Sequence, residues 1–337
     1  QSTSMSFSVK CERTGLEYAG TSLGTLFAQR RNLVNWTYLR MLREIARFNR
    51  AGKELLRSGG VAPELGQVLR EGGYSRAFIE QYLIPLGAAI WSTSPERMLG
   101  FPATFFLRFL DNHALLQLNG RHVWRSVKGG SFRYIEPLTR PFADRIRLET
   151  PVRRVRRERD GVRVETLSGD VERFDQVVIA THSDQALRML EEPMEPEREV
   201  LGAIPYQRNE ATLHTDSSVL PKSRRAWASW NYHVPAEEVD RVVVTYNMKD
   251  LQCLEDDAPT FCVSLNLDER IDPAKVLETF TFSHPVFTPD SVAAQARWAE
   301  VSGSDRIHYS GAYWGNGFHE DGVKSGLSVA ASLGATL

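Results

Sequence analysis

Residues 307–333 combine a short apolar run, a loop rich in glycine and aromatic residues, and small or apolar residues at helical spacing. This pattern predicts a strand, a loop and a helix. Gly315, Gly317 and Gly322 have no Cβ, so a flat ligand can approach the backbone there. The first N–H groups of a helix lack partners inside the helix, and the helix dipole is positive at that end. The stretch therefore suits an anion or an electron-rich carbonyl group.

A second stretch that could take part in ligand binding or chemistry is the apolar run 174–180, which ends at Thr181 and His182. It is typical of a buried strand. In open α/β folds ligands bind beyond the carboxyl ends of the strands. We therefore expect both stretches to face one crevice, which would fit a flat, electron-rich ring. A glycine pair, Gly129-Gly130, also permits close backbone approach or forms a turn, after a short strand and before a helix.

Composition excludes several classes of protein. The 337 residues include 41 basic and 42 acidic residues, for a net charge of −1, so no global field recruits nucleic acid or an anionic membrane. Three cysteines without a C-x-x-C pair favour a reduced, cytoplasmic setting. No apolar run approaches the ~20 residues of a membrane span, which leaves peripheral membrane contact open.

Other chemistries find little support in the sequence. A G-x-S-x-G nucleophile motif is absent, and no spacing of Ser, His and Asp selects a triad. His308 and His319 flank the terminal loop, beside Glu320 and Asp321, but acidic residues at a helix start more often cap it than bind metal. The arginine-rich run 153–159 lacks interleaved aromatic residues. We therefore predict neither a metal site nor nucleic-acid binding.

The elements that must position these stretches follow from periodicity. Residues 74–110 are strongly apolar and interrupted by Pro85 and Pro95, which predicts buried helices that break or kink there, or the lining of a pocket for an apolar substrate. The remaining predicted elements are a hairpin over 5–18, an amphipathic helix over 23–48, a strand over 146–152, a hairpin of 153–159 with 162–166 joined through Asp160-Gly161, four strands over 211–215, 226–232, 242–247 and 261–267, and a helix over 291–301.

Two motifs, Gly311–Gly326 and Ala226–His233, resemble the flavin-containing amine oxidase superfamily, which includes monoamine oxidases and phytoene-desaturase-type enzymes. The resemblance covers essentially the whole chain and is greatest for a bacterial branch of NAD/FAD-binding, amine-oxidase-like proteins. It implies an α/β fold with α+β elements: an FAD/NAD(P)-binding Rossmann-like domain interleaved with a substrate domain of mixed sheet and helices. The implied ranges are 1–22 and 204–300 for the substrate-domain sheet, 23–122 for its helices, and 123–203 with 301–337 for the FAD-binding domain.

The resemblance also implies residue roles, with FAD as the cofactor. Asp321, Gly322 and Val323 would direct backbone N–H groups at the flavin N1 and C2 carbonyl, where negative charge develops on reduction. The other implied cofactor-binding residues are Gly311, Ala312 and Tyr313 along the ribityl–pyrophosphate segment, Val152 at the adenine, and Thr181 near the cofactor. Implied substrate-pocket residues are Phe287, Phe318 and Trp314; no catalytic residue is assigned.

Three departures from the family pattern bear on function. The glycine fingerprint G-x-G-x-x-G is absent, so about seventy residues carrying it are expected before Gln1. Residues 1–337 alone are expected to bind FAD weakly or to fold poorly, which leaves open whether this fragment is active. Ala312 stands where an acidic residue is usual. The lysine that places a water at flavin N5 has no counterpart near residues 204–210.

The implied activity is oxidation by a flavin that accepts a hydride, from an amine or from a hydrophobic C–C substrate. Because the lysine is missing and the helical region is so apolar, a lipid or carotenoid-type desaturase or isomerase competes with an amine oxidase. A non-catalytic remnant that binds a partner or a lipid is a further alternative.

Overall fold

The computed structural model describes residues 1–59, 63–117, 122–237, 239 and 241–335. The chain divides into two compact units. The first unit comprises Gln1–Arg140 and Gln207–His284, and the second comprises Pro141–Tyr206 and Pro285–Leu337. Both units are therefore built from two separate segments of the chain. Their assignment to substrate and to FAD stays a prediction.

Strands occur in both units. They are β1 Phe7–Cys11, β2 Leu16–Ala19, β3 Val152–Glu158, β4 Gly161–Thr166, β5 Val171–Phe174, β6 Val177–Ile179, β7 Tyr206–His214, β8 Trp230–Val234, β9 Val244–Asn247, β10 Cys262–Leu265, β11 Val276–Pro285 and β12 Ile307–Tyr309.

Helices are concentrated in the first unit before residue 140 and in the second unit after residue 183. They are α1 Leu23–Leu26, α2 Trp36–Ser58, α3 Leu65–Glu71, α4 Arg76–Phe78, α5 Ile84–Trp91, α6 Pro95–Leu99, α7 Ala103–Asn112, α8 Ile135–Thr139, α9 Ser183–Met189, α10 Glu195–Gly202, α11 Met248–Gln252, α12 Pro289–Gln295, α13 Trp298–Val301 and α14 His319–Ser332.

The first unit is organised on a seven-stranded sheet with the order β11-β7-β10-β9-β8-β1-β2. The hairpin predicted at the start of the chain is confirmed, with β1 antiparallel to β2. The pairing of β1 with β8 is parallel, whereas β8, β9, β10 and β7 pair antiparallel. The sheet is therefore mixed, and the predicted α/β class is confirmed.

The single helix predicted over 23–48 is wrong. The chain forms α1, then a 3₁₀ turn over Arg30–Val34, and begins α2 at Trp36. The cause is local, because Asn35 has an extended backbone and its Oδ1 accepts the Tyr38 N–H at 3.2 Å. An asparagine in this position caps a new helix rather than continuing an old one.

Pro85 lies within a continuous helical segment, since α4 passes through a π-helical turn at Ile79–Leu83 into α5. Proline has no N–H to donate to the carbonyl four residues earlier, which here belongs to Gln81. The Tyr18 hydroxyl donates to that carbonyl at 2.7 Å instead. The predicted break or kink at Pro85 therefore takes the form of a π turn. The Gln81 carbonyl, to which Pro85 cannot donate, accepts its hydrogen bond from Tyr18 on β2.

Three predicted strands need correction: 146–152, 174–180 and the short strand before Gly129. Residues 146–151 are not a strand, since Glu149 has φ 52° and Pro151 cannot donate a ladder hydrogen bond. The run 174–180 contains two strands in different sheets, because β5 pairs with β4 and β6 pairs with β12. Before Gly129 there is an isolated bridge from Arg125 to Ser2 instead of a short strand.

The second unit has an apolar core that carries a buried charge. Arg157 and Glu197 form an ion pair, and Glu197 also accepts the Tyr309 hydroxyl hydrogen. Glu197 and Tyr309 are both 0% exposed. Burial raises the pKa of Tyr309, so its hydroxyl stays protonated as a donor. Strand β12 is thereby fixed to α10 and β3 by a polar contact inside the core.

Candidate functional site

The ends of β6 and β12 form the candidate site in the second unit. The two strands are parallel, with Tyr309 paired to Ile179, and the Ser310 N–H donates to the Ile179 carbonyl at 3.1 Å. Parallel neighbours end at the same edge of a sheet. Thr181 and Gly311, which the sequence singled out separately, therefore leave one edge together.

Ser325 of α14 connects this edge to the terminal helix. Its Oγ accepts the Gly311 N–H at 2.9 Å and donates to the Gly322 carbonyl at 2.9 Å. The Ser310 hydroxyl lies 3.0 Å away and serves as a further donor to it. Ser325 is 7% exposed, so these bonds compete little with water. Sequence reasoning did not assign it a role, although it lies within the motif.

The glycine-rich loop is held in one conformation by a side chain from α12. The Gln295 amide Nε2 donates to the carbonyls of Tyr313, at 2.8 Å, and Gly315, at 2.6 Å. Gly317 has φ 91°, a conformation that favours glycine. A Cβ on Gly315 would lie 2.3 Å from the Asp321 Oδ1, so the loop also requires glycine there. Gln295 was not identified from the sequence.

The predicted bare start of the terminal helix is wrong. The Asp321 carboxylate accepts the Phe318 N–H at 3.0 Å, and the Asp321 and Gly322 N–H groups donate to the Phe318 carbonyl at 3.0 and 3.1 Å. An acidic residue at the third helical position can reach back in this way and cap its own helix. The amides at 321 and 322 are therefore engaged inside the helix, and their role at a cofactor stays a prediction.

The helix surface at Gly322 is open. A Cβ built on Gly322 would meet no atom within 4 Å. Nearby in the loop, the Tyr313 hydroxyl and the Trp314 indole N–H are buried atoms without a hydrogen-bond partner in the described structure. Burial raises the pKa of Tyr313, which keeps its hydroxyl a neutral group. Open space beside glycine and polar atoms that lack partners are compatible with a flat polar ring such as a flavin.

The turn after β6 is ordered by an aromatic pair. The His182 ring stacks on Tyr206 with centroids 4.5 Å apart, and the Tyr206 hydroxyl accepts the Ser183 N–H at 2.9 Å. Burial raises the pKa of Tyr206. Thr181 itself is exposed, and its hydroxyl donates to the His182 carbonyl at 3.2 Å. Its side chain is thus accessible from the strand edge.

The remaining predicted residues differ in accessibility. Val152 begins β3 opposite Thr166 and is 37% exposed, and no described contact joins it to the β6–β12 edge. Phe287 is 1% exposed, and its ring lies close to Gly317, since a Cβ at Gly317 would be 3.5 Å from the Phe287 Cζ. Phe318 and Val323 are exposed at the start of α14, Ala312 is half-buried, and Trp314 packs on the core. Their predicted contacts with a cofactor or substrate stay predictions.

In the first unit, Asn209 lies on β7, within the range 204–210 that lacks the lysine of the family pattern. Its Nδ2 donates to the Ser92 carbonyl and to His284 Nδ1, both at 3.0 Å, while its Oδ1 accepts from Asn266 Nδ2 at 2.9 Å. The His284 Nδ1 is consequently an acceptor, so the ring carries its proton on Nε2. Gln207, on the same strand, is 9% exposed and neither of its amide atoms has a partner within the described residues.

The histidine near the terminal loop has an ordinary structural setting. His308 is 4% exposed and its Nε2 lies 3.1 Å from the Gln176 Oε1. Burial lowers the pKa of His308. Among the described residues, no three His, Cys, Asp or Glu side chains are grouped in a way that could hold a metal ion. None of the described helices is long and apolar enough to cross a membrane.

Comparison with a family model gives a match to flavin containing amine oxidoreductases over residues 69–219. No curated protein sequence matches the chain.

Solved structures of several enzymes resemble the chain. Cyclohexylamine oxidase from Brevibacterium oxydans IH-35A is 14% identical with a TM-score of 0.64, covering 98% of this chain and 81% of that one. Putrescine oxidase bound to putrescine is 15% identical with a TM-score of 0.63, covering 100% and 82%. A fatty acid isomerase from P. acnes that produces CLA is 13% identical with a TM-score of 0.58, covering 99% and 81%. At these identities the likeness concerns the fold.

Proposed function

We propose that the chain is an FAD-dependent oxidoreductase of the flavin-containing amine oxidase superfamily. The observation that carries the proposal is the β6–β12 edge, where Thr181, the loop from Gly311 and the open face of Gly322 meet. The family match over residues 69–219 supports a flavin as the ligand of this edge.

In this proposal the second unit holds the flavin mainly through backbone. Gly311, Ala312 and Tyr313 lie along the ribityl–pyrophosphate segment, and the ring lies against Gly322. Since the Asp321 and Gly322 amides already serve the Phe318 carbonyl, the start of α14 acts on the ring chiefly through the positive end of its dipole. A positive potential there favours charge that develops on reduction. When bound, the flavin supplies the hydride acceptor.

The substrate is proposed to be a small amine or a hydrophobic molecule oxidised or isomerised at a C–C bond. Similar folds include amine oxidases that act on cyclohexylamine and putrescine, and a fatty acid isomerase. The buried Asn209 network supports the C–C alternative, because this part of the chain has no lysine whose amine could hold a water at the ring. The free cysteines Cys11, Cys253 and Cys262 support a reducing, cytoplasmic setting.

Flavin spectroscopy tests this proposal. The protein is produced from its complete reading frame, its visible spectrum and FAD affinity are measured, and it is then mixed without oxygen with a panel of amines and a panel of unsaturated fatty acids. We expect a bound flavin that one of the two panels bleaches. Absence of both flavin absorbance and calorimetric FAD binding would contradict the proposal. Bound flavin that no panel member bleaches would favour the non-catalytic alternative.

A further inference from the structure

One face of the seven-stranded sheet carries a row of buried polar side chains, one from each of four adjacent strands. We call this set the polar row; it consists of His214 on β7, Ser264 on β10, Thr245 on β9 and His233 on β8. Each of the four residues is at most 2% exposed. The polar row plays no part in the function proposed above.

Hydrogen bonds join the members of the polar row in order. The His214 Nε2 lies 2.8 Å from the Ser264 Oγ. The Ser264 Oγ lies 2.7 Å from the Thr245 Oγ1, and this oxygen lies 3.2 Å from the His233 Nε2. The contacts therefore connect β7 to β8 across the two strands that lie between them.

The backbone fixes the direction of these hydrogen bonds at one end. The Asp216 N–H donates to the His214 Nδ1 at 3.1 Å, so this nitrogen carries no proton and the neutral ring carries its proton on Nε2. His214 therefore donates to Ser264, Ser264 donates to Thr245, and the Thr245 proton goes to the His233 Nε2. With the opposite direction between Ser264 and Thr245, the Ser264 hydroxyl would accept twice and donate to no described residue. His233 consequently carries its proton on Nδ1.

The charged groups closest in effect to His233 are cationic. Lys10 on β1 is its register partner, and Arg270 acts on it as well. Burial, assisted by these two cations, lowers the pKa of His233 to about 3. Glu17 on β2 is the register partner of Lys10 in turn. His233 is therefore neutral at pH 7, as the direction of the polar row requires.

The surroundings of His214 also leave it neutral. Burial lowers its pKa, and the Asp216 carboxylate, which opposes this effect, binds the Lys275 ammonium group at 3.3 Å. Cys262 is the register partner of His214, and burial raises the pKa of its thiol to about 12. The Nδ1 of His214 is therefore free of a proton at pH 7 and can accept the Asp216 N–H.

The contact between His214 and Asp216 attaches the start of the segment 215–229, which lies against the same face of the sheet. Lys10 donates to two carbonyls of this segment, and the Glu17 carboxylate accepts two of its N–H groups. The segment is thus bonded to the sheet at its start and near its middle. The bond to His214 requires that the Nδ1 of this ring carry no proton.

We propose that the polar row is an acid-sensitive switch, in which a proton taken up by His233 changes the contact between His214 and Asp216 three strands away. A proton from water on the His233 Nε2 makes that nitrogen a donor, so the Thr245 and Ser264 hydroxyl protons turn in the opposite direction. The His214 Nε2 then accepts from Ser264, and its own proton moves to Nδ1 by exchange with water. The Nδ1–H faces the Asp216 N–H, and the hydrogen bond between His214 and Asp216 is lost.

The tautomers of the two histidines test the direction of the polar row at neutral pH. They are read by NMR from the full chain with isotope-labelled histidine, and the signals are assigned with His214→Gln and His233→Gln. The measurement needs no flavin, so its result is independent of the proposed oxidoreductase function. We expect the proton on Nε2 of His214 and on Nδ1 of His233. A proton on the His214 Nδ1 or the His233 Nε2 at this pH would overturn the proposal.

Lowering the pH tests the switch itself. As His233 becomes protonated, we expect the His214 proton to move to Nδ1. The ratio of the two His214 tautomers should change about ten-fold or more, because a pair of opposed donors costs at least one hydrogen bond. An unchanged His214 tautomer, or unfolding of the protein before the tautomer changes, would contradict the switch.

Two matched variants show whether the change passes through the polar row. Thr245→Val interrupts the row, so His214 should keep its proton on Nε2 in acid. Thr212→Val is the control, since Thr212 is the register partner of Ser264 and its hydroxyl lies 3.5 Å from the Thr279 Oγ1, outside the polar row. It should behave like the unsubstituted protein. Identical behaviour of the two variants would show that the polar row does not transmit the change.

Discussion

Ser325 Oγ lies 2.9 Å from the Gly311 amide nitrogen and fixes the end of β12 to the terminal helix. The same hydroxyl donates to the Gly322 carbonyl, so one side chain holds both ends of the glycine-rich loop. The loop cannot shift at Gly311 without disturbing the helix start. A cofactor bound across this edge would find its backbone contacts already positioned.

Ser325→Ala should destabilise the second unit. The substitution leaves the half-buried Gly311 N–H without its acceptor, which costs about 1–3 kcal/mol in the free energy of unfolding. Chemical denaturation measures this loss. Ser328→Ala on the same helix is the control, because the exposed Ser328 hydroxyl donates to the Lys324 carbonyl of its own helix and its removal should cost less than about 0.5 kcal/mol. Equal losses in the two variants would contradict the role given to Ser325.

Arg157→Met should be more damaging than removal of any surface charge pair. It leaves the Glu197 carboxylate, which is 0% exposed, without its half-buried cationic partner, and such an uncompensated charge costs about 3–5 kcal/mol. Arg188→Met, which breaks the exposed pair with Asp184, should cost less than about 1 kcal/mol. Urea unfolding of both variants provides the comparison, and similar midpoints would show that the buried pair contributes no more than a surface one.

Acid should weaken the first unit through His233. Burial, assisted by Lys10 and Arg270, lowers the pKa of His233 to about 3, well below its ordinary value of 6.5. Between these two values the unfolded chain binds a proton that the folded chain does not, so the free energy of unfolding falls as the pH drops through this range. The slope from this group approaches about 1.4 kcal/mol per pH unit.

The variant His233→Gln isolates this contribution. The His233 Nε2 lies 3.2 Å from the Thr245 hydroxyl, a contact that glutamine can replace in part. Urea denaturation at several pH values from 6.5 down to 4 should show a shallower loss of stability in the variant than in the unsubstituted protein. Identical slopes would mean that His233 is not the group responsible.

The sequence predicted the convergence of the two candidate stretches because strand ends and glycine-rich turns are local patterns. The parallel pairing of β6 with β12 then placed Thr181 beside Gly311. Helix starts were harder to predict, since the caps at Asn35 and Asp321 depend on which nearby N–H each short side chain reaches. An asparagine or aspartate is compatible with both a helix interior and a helix start.

The polar residues that hold the loop could not be read from the sequence. Gln295 is 18 residues from Tyr313 along the chain, and its contacts arise only when α12 packs against the loop. Ser325 stands in the motif, yet its partner Gly311 is 14 residues away.

FAD titration of Gly322→Val, in protein produced from the complete reading frame, tests the central claim that a flavin lies against the start of the terminal helix. Apart from its chain neighbours and the backbone of its own helix, no atom of the described residues lies within 4 Å of a Cβ at this position, so the fold should tolerate valine, whereas a ring against the helix would be displaced. We predict FAD affinity reduced at least about ten-fold, or 1.4 kcal/mol, with an unchanged thermal midpoint, and normal affinity in the control Gly202→Ala. Affinity equal to that of the unsubstituted protein would contradict the assignment of this site.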